Sequence, residues 1–313
     1  MAIIKSAVKL IIREHRARKF LSPALTLGVP EIYGTYAELK KWVFDFTGQK
    51  IEINPAEVKI SANETAQKLK WVTANIFFKA LGIEEMLSVD IAGSEHAPDF
   101  IHDLNNPFPE KYMNRFNLIV DPGTIEHIFD IKSGLSNIVH ALKIGGTVIQ
   151  QVPIYSYNGG YYNFNPILLN DFYAANGFTD IKMFIIMWDR YHAYTGTNRC
   201  YEYSEKYLGA RHALADYDQC RFTPHVLLFA KKIKTYSKIV TPIQSPCTSG
   251  LYSSEGKNGN ICDLLFIRRI KPIYRNICHI LNKILPYSVT CYVSSAMSRK
   301  IQLYKNEHLC FRI

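Results

Sequence analysis

The clearest alternation of apolar and polar positions lies in residues 116–153. It opens with Phe116-Asn117-Leu118-Ile119-Val120, closed by Asp121, Pro122 and Gly123. An apolar run of that length, bounded by turn residues, predicts a strand buried on both faces. Apolar residues then recur at spacings of three and four, at Ile131, Leu135, Ile138, Val139 and Leu142, which predicts a helix. Gly145-Gly146 is expected to stop that helix, and Thr147-Val148-Ile149 to begin a second strand ending at Pro153. Together these make one strand, helix, strand unit of a parallel sheet, with a right-handed crossover. Ligands in such sheets bind beyond the carboxyl ends of the strands, so residues 121–127 and 152–157 are expected to line a site.

The same patterning organises the rest of the chain. Residues 2–20 space Ile3, Ile4, Ala7, Val8, Ile11 and Ile12 as an amphipathic helix with a basic end. Residues 24–28 read as a first strand closed by Gly28, 86–90 as a second ending in Asp90, and 100–105 as a short third. Helices are predicted over 36–46, 63–81 and 168–176, the last two ended by Gly82 and Gly177. Residues 179–188 and 223–233 read as two further strands, with a polar insertion at 191–221 between them. The first two strands stand about 58 residues apart, far more than a simple crossover needs. The helices inserted there are expected to cover a cofactor or the substrate mouth.

Asp121-Pro122-Gly123-Thr124-Ile125-Glu126-His127-Ile128-Phe129-Asp130, then the helix, then Leu142-Lys143-Ile144-Gly145-Gly146-Thr147, resembles a known stretch. It is similar to the fourth-to-fifth-strand region of class I S-adenosylmethionine-dependent methyltransferases. The resemblance implies an α/β fold: a Rossmann-like, seven-stranded, mostly parallel sheet with an antiparallel seventh strand and helices on both faces. It also implies S-adenosyl-L-methionine as cofactor. Gly28 falls where the family's first loop glycine stands, after Leu27, but GVPEIYG at 28–34 departs from the family's GxGxG. That departure argues against a nicotinamide cofactor, whose pyrophosphate needs several close-approach glycines. An acid at the end of the second strand, Asp90, can accept both ribose hydroxyls; the competing reading is a turn-capping Asp. On the resemblance, Asp103 faces the adenine amino group and Leu104 offers its amide to the ring. Asp121, Gly123 and Glu126 complete the expected cofactor set, with Glu126 holding the methionine end or the loop.

Methyl transfer from a sulfonium depends mostly on in-line placement, and an oxygen nucleophile gains from a base. His127 is the first candidate for that base and His102, beside Asp103, the second. The competing reading of His127 is a cap or packing residue. Residues 153–166 are rich in Tyr and Asn and nearly free of charge. Tyr155, Tyr157, Asn158, Tyr161, Tyr162 and Asn163 are therefore candidates for holding a polar, uncharged acceptor such as a sugar-like small molecule or glycan precursor. A lid sealing the domain is the other reading of that loop. HExxH, GxSxG and P-loop strings and cysteine-ligand spacings are missing from the sequence, which disfavours metal hydrolysis, serine hydrolysis and triphosphate use; no metal is expected.

The formal charge of +10 changes the picture only once it is located. From residue 234 onward there are twelve Lys or Arg against three acids, so nearly all the excess sits in the last quarter. The expected organisation is an amphipathic helix at 1–19, a methyltransferase-like domain at 20–233, a flexible linker at 234–260 and a basic amphipathic helical extension at 261–313. That extension suits docking on the domain or a partner, or peripheral contact with an anionic membrane; its aliphatic interleaving argues against nucleic acid. Seven cysteines without a CxxC pair fit a reducing compartment, and a cytoplasmic location is expected. The functional expectation is an O-methyltransferase. The alternatives are a catalytically silent methyltransferase-like interaction module and, more remotely, a nucleotide-sugar transferase.

Overall fold

A computed structural model describes residues 1–91, 98–157, 159–189, 198–203, 222–244 and 310–312. Asn158, most of the 191–221 insertion, the greater part of the linker and nearly all of the basic extension therefore lie outside the described residues. The described part belongs mainly to one compact unit, Met1–Tyr207 with Asp218–Pro242.

The strands are β1 (Ala2–Ile3), β2 (Ala24–Leu27), β3 (Glu31–Thr35), β4 (Trp71–Thr73), β5 (Met86–Asp90), β6 (Phe100–Ile101), β7 (Phe116–Asp121), β8 (Leu142–Pro153), β9 (Phe178–Asp189), β10 (Arg199–Tyr203), β11 (Phe222–Lys232) and β12 (Cys310–Arg312). The α-helices are α1 (Lys5–Arg18), α2 (Tyr36–Thr47), α3 (Glu64–Leu69), α4 (Ala74–Lys79), α5 (Ile131–Ala141) and α6 (Pro166–Ala175). The larger sheet runs β12-β10-β9-β11-β8-β7-β2-β5-β6. Strands β6, β5, β2, β7 and β8 are mutually parallel, and β11 lies antiparallel between β8 and β9. The seven-strand core thus has its strands in the order third, second, first, fourth, fifth, seventh, sixth, with only the seventh reversed. This is the Rossmann-like, mostly parallel sheet with a reversed seventh strand that the sequence leads one to expect, extended by β10 and β12 beyond β9. The chain lays β5 and β6 on one side of β2 and β7 and β8 on the other, so the topological switch point falls between β2 and β7.

Each face of the sheet has its cover. Helix α1 buries Ala7, Val8, Leu10, Ile11 and Ile12 in the core that holds Leu118, Val120, Ile149, Phe184 and Phe229. The apolar side of the first helix is therefore in the core. Its buried Glu14 meets Lys182 at 3.0 Å and Arg18 at 3.4 Å. On the other face, the fully buried Lys232 donates to the carbonyls of Val139 and Leu142, both at 2.7 Å, satisfying carbonyls at the C-terminal end of α5. Among the described residues no helix is long and apolar enough to cross a membrane.

Three local expectations need correction. The segment 28–34 is not simply a loop: Glu31–Thr35 is a strand of a second sheet, β1-β3-β4, in which Ala2 pairs with Glu31 and Ile3 with Ile32. The helix expected at 63–81 is broken after Leu69, where Lys70 takes φ 55° and Trp71–Thr73 pairs with β3. Trp71 stacks on Tyr33 at 4.1 Å, and that cross-strand aromatic contact overrides the helical spacing. Helix α5 ends at Ala141, before the glycines, and Gly145-Gly146 instead lie where the β7–β8 register shifts.

Candidate functional site

The carboxyl ends of the parallel strands place the predicted residues along one rim. From the edge inward come His102 and Asp103 after β6, Asp90 at the end of β5, Gly28 after β2, and Asp121 to His127 after β7. Gly28 takes φ 77°, a left-handed conformation that favours glycine, and its amide donates to Val89 O. The ends of β2 and β5 are thus tied together, which sets Gly28 beside Asp90. Asp90 accepts the Ile91 amide at 2.7 Å.

Asp103 is held in a polar turn. One carboxylate oxygen accepts the Asn105 amide at 2.9 Å and its side chain at 2.7 Å; the other takes Asn106 Nδ2 at 3.3 Å. The Asn105 bonds hold its pKa below the usual range. The loop is fixed from below by Asn137 of α5, which donates to Leu104 O and Asn106 O and accepts from Phe108 N. His102 leans on Phe108 with a ring separation of 5.2 Å, its Nε2 3.1 Å from Asn106 O.

Asp121 is completely buried and organises the turn after β7. One oxygen accepts amides from Gly123, Thr124 and Ile125 at 3.2, 2.8 and 3.3 Å. The other takes Gln150 Nε2 at 2.8 Å, and Gln150 in turn accepts the Tyr173 hydroxyl at 2.9 Å. Both oxygens are therefore engaged by protein donors, and Asp121 shapes the site instead of presenting itself to a ligand. Burial raises its pKa to about 6 against the pull of those donors. Glu126, only 5% exposed, has one carboxylate oxygen without a partner. Burial, then the charge on Asp121, pushes it up to about 8, so Glu126 carries the proton of the pair at neutral pH. Gly123, at φ 97°, lets the turn pass: a Cβ there would stand 3.0 Å from Glu126 Oε1.

The aromatic loop folds back over this turn. Tyr161 and Tyr162 donate their amides to Glu126 O at 2.8 and 3.2 Å, and a Cβ on Gly160 would meet Glu126 Cγ at 2.9 Å. Tyr162 hydroxyl donates to Phe129 O, and Asn163 accepts the Ser156 amide. Tyr155, Tyr157 and Tyr161 are exposed, as is His127, whose ring pKa is lowered by partial burial. Asn158 lies outside the described residues.

Several groups at the rim went unnoticed in the sequence. Gln151 is 5% exposed with Oε1 unpartnered; His225 has both ring nitrogens covered and unpartnered; Trp188 Nε1 and Thr26 Oγ1 are unpartnered too. Gln151 pairs in register with Leu227, two positions from His225, and the Trp188 and His225 rings lie 5.9 Å apart. Burial pushes His225 down to about 4, so it is neutral at physiological pH. The available signal was Gln150-Gln151 inside an otherwise apolar strand, since buried polar side chains call for partners. Among the described residues no cluster suits a metal ion.

No family model and no curated protein matches this chain. Solved structures do resemble it. A putative methyltransferase from Bacillus halodurans is 13% identical, covering 52% of this chain and 87% of its own, with a TM-score of 0.32. A methyltransferase from Thermotoga maritima, described as S-adenosylmethionine-dependent and a possible histamine N-methyltransferase, is 16% identical over 72% and 91%, at 0.33. An S-adenosylmethionine-dependent methyltransferase from Archaeoglobus fulgidus is 15% identical over 72% and 94%, at 0.38. The fold itself is fixed by the strand order and its single reversed strand.

Proposed function

We propose that this chain is an S-adenosylmethionine-dependent methyltransferase whose cofactor lies across the ends of β2, β5, β6 and β7. The observation that carries the reading is Gly28 tied beside Asp90 at the switch point of a sheet with the methyltransferase strand order. The residues fit the group: the unpartnered Oε1 of Gln151 needs a donor, as an amino-acid ammonium would be, that cation would draw the buried Glu126 back toward its carboxylate, and Gly28 puts no side chain of its own at the turn. Asp90 would hold the ribose hydroxyls, with Leu104 and the Asp103 loop bordering the base. When bound, the cofactor supplies an electrophilic methyl group.

The chain's own contribution is placement and proton handling. Asp121, accepting three backbone amides, holds the turn that presents Glu126 and His127. His127, exposed beyond β7, accepts the proton of an acceptor hydroxyl, with His102 as the second candidate. His225 and Trp188 are neutral groups that together offer a donor and an acceptor, which suits an uncharged hydroxyl-bearing acceptor better than an ion. Tyr155, Tyr157, Tyr161, Tyr162 and Asn163 would form its outer wall. O-methylation of a small, polar, sugar-like molecule is the reading that follows. Incubation with S-[methyl-³H]adenosylmethionine and a fractionated small-molecule extract tests it: label should enter a neutral hydroxyl compound, and label confined to amines or absent throughout would contradict it.

A second reading, a silent interaction module, is favoured by one observation: Met1 already lies in the hollow over Gly28. On that reading S-adenosylhomocysteine does not bind in any form of the chain.

A further inference from the structure

The segment ahead of α1 crosses the rim at the switch point. A Cβ on Gly28 would stand 2.1 Å from Met1 Cε and 2.7 Å from Met1 Sδ, far inside contact distance. The missing side chain of Gly28 is therefore the space that the Met1 thioether fills. Thr124 Oγ1 lies 2.7 Å from that sulfur and also within hydrogen-bond reach of Leu27 O, bridging β2 and the turn after β7. Two main-chain bonds fix the approach: Glu31 N donates to Met1 O at 3.2 Å, and Gln151 Nε2 donates to Ala2 O at 3.0 Å. Three separate elements of the rim thus grip residues 1–3.

We propose that Gly28, Thr124 and Gln151 form a docking site for a methionine-like thioether, and that Met1 occupies it in cis as a competitor of the cofactor. The inference rests on the methyltransferase reading above. An unbranched chain with a soft sulfur suits the notch, because the chain bends to fit and the polarizable sulfur packs against the Thr124 hydroxyl, whose one proton goes to Leu27 O. A sulfonium nucleoside carries the same kind of chain and adds an adenosine that reaches toward Asp90. Met1 has no counterpart for that contact. The hold on Met1 is also slight: β1 has only two residues, and Met1 is 45% exposed. Short, partly exposed pairings open at low free energy. The docked and free forms therefore coexist, and the cofactor binds the fraction in which the notch is bare.

Equilibrium dialysis with radiolabelled S-adenosylhomocysteine tests this on the full chain and on Met1→Gly, made behind a cleavable leader. The substitution should tighten binding about tenfold, or about 1.4 kcal/mol. A second readout needs no variant to bind anything. In wild-type chain labelled at its methionine methyls, the Met1 signal, assigned by its loss in Met1→Gly, should move to the position of a free side chain at saturation. Equal affinity in the two chains, or a Met1 signal that stays in place, overturns the competition while leaving the methyltransferase reading intact. No binding to either chain overturns that reading, and the competition with it.

Discussion

Gly28→Ala separates two costs that coincide at one position. The backbone there has φ 77°, and an L side chain in the left-handed region costs roughly 1–2 kcal/mol. The new Cβ would also displace Met1 Cε from 2.1 Å away. Because that atom ends a flexible side chain, the displacement costs only the lost packing. A fully buried Met contributes about 1.5–3 kcal/mol; with Met1 45% exposed, about 1 kcal/mol is at stake. Urea denaturation of wild type, Gly28→Ala, Met1→Gly and the double variant closes a cycle. Gly28→Ala should cost about 2–3 kcal/mol in the wild-type background, and about 1 kcal/mol less where Met1 is already Gly. A coupling near zero would refute the placement of the thioether in the notch.

Other groups give sharper single tests. Lys232→Met removes both bonds to the Val139 and Leu142 carbonyls and should lower stability by about 1–3 kcal/mol in chemical denaturation, despite the gain in apolar character. Tyr173→Phe leaves Gln150 without its hydroxyl donor and should cost about 1 kcal/mol, read as a fall in thermal midpoint. Glu126 predicts a pH dependence. Its folded pKa is raised from 4.5 to about 8, so the native state keeps a proton that the unfolded chain gives up. Stability from this group is present below about pH 4.5 and is lost as pH rises toward 8. Thermal midpoints of wild type should fall across that window, and Glu126→Gln should flatten the slope; an unchanged slope would remove Glu126 as its source.

What the sequence disclosed follows from where physics is local. The strand, helix, strand unit at 116–153 was legible because buried parallel strands need continuous apolar runs and α5 needs a periodic face. Asp90 was placed at a strand end by the same logic, since its run is short and closed by an acid. The small sheet was not legible: β1 has two residues and β3 reads EIYGT, and each becomes a strand only because the other, or Trp71, is beside it. The helical spacing across 63–81 gave way to the Tyr33–Trp71 stack for the same non-local reason. Asp121 was expected to face a ligand, yet its role was decided by Gln150, 29 positions away, whose amide takes the second oxygen. Nothing in the order of residues announces that Met1 meets Gly28 and Thr124. The missing glycines of the first loop hinted that something other than a phosphate covers that turn.

A sulfonium nucleoside held where β2 and β5 end is tested most directly by calorimetric titration of S-adenosylhomocysteine into the Met1→Gly chain. One site per chain with measurable heat, abolished by Asp90→Ala while the fold persists by circular dichroism, is the predicted result. A titration without heat in the uncovered chain, or binding that Asp90→Ala leaves untouched, would contradict it.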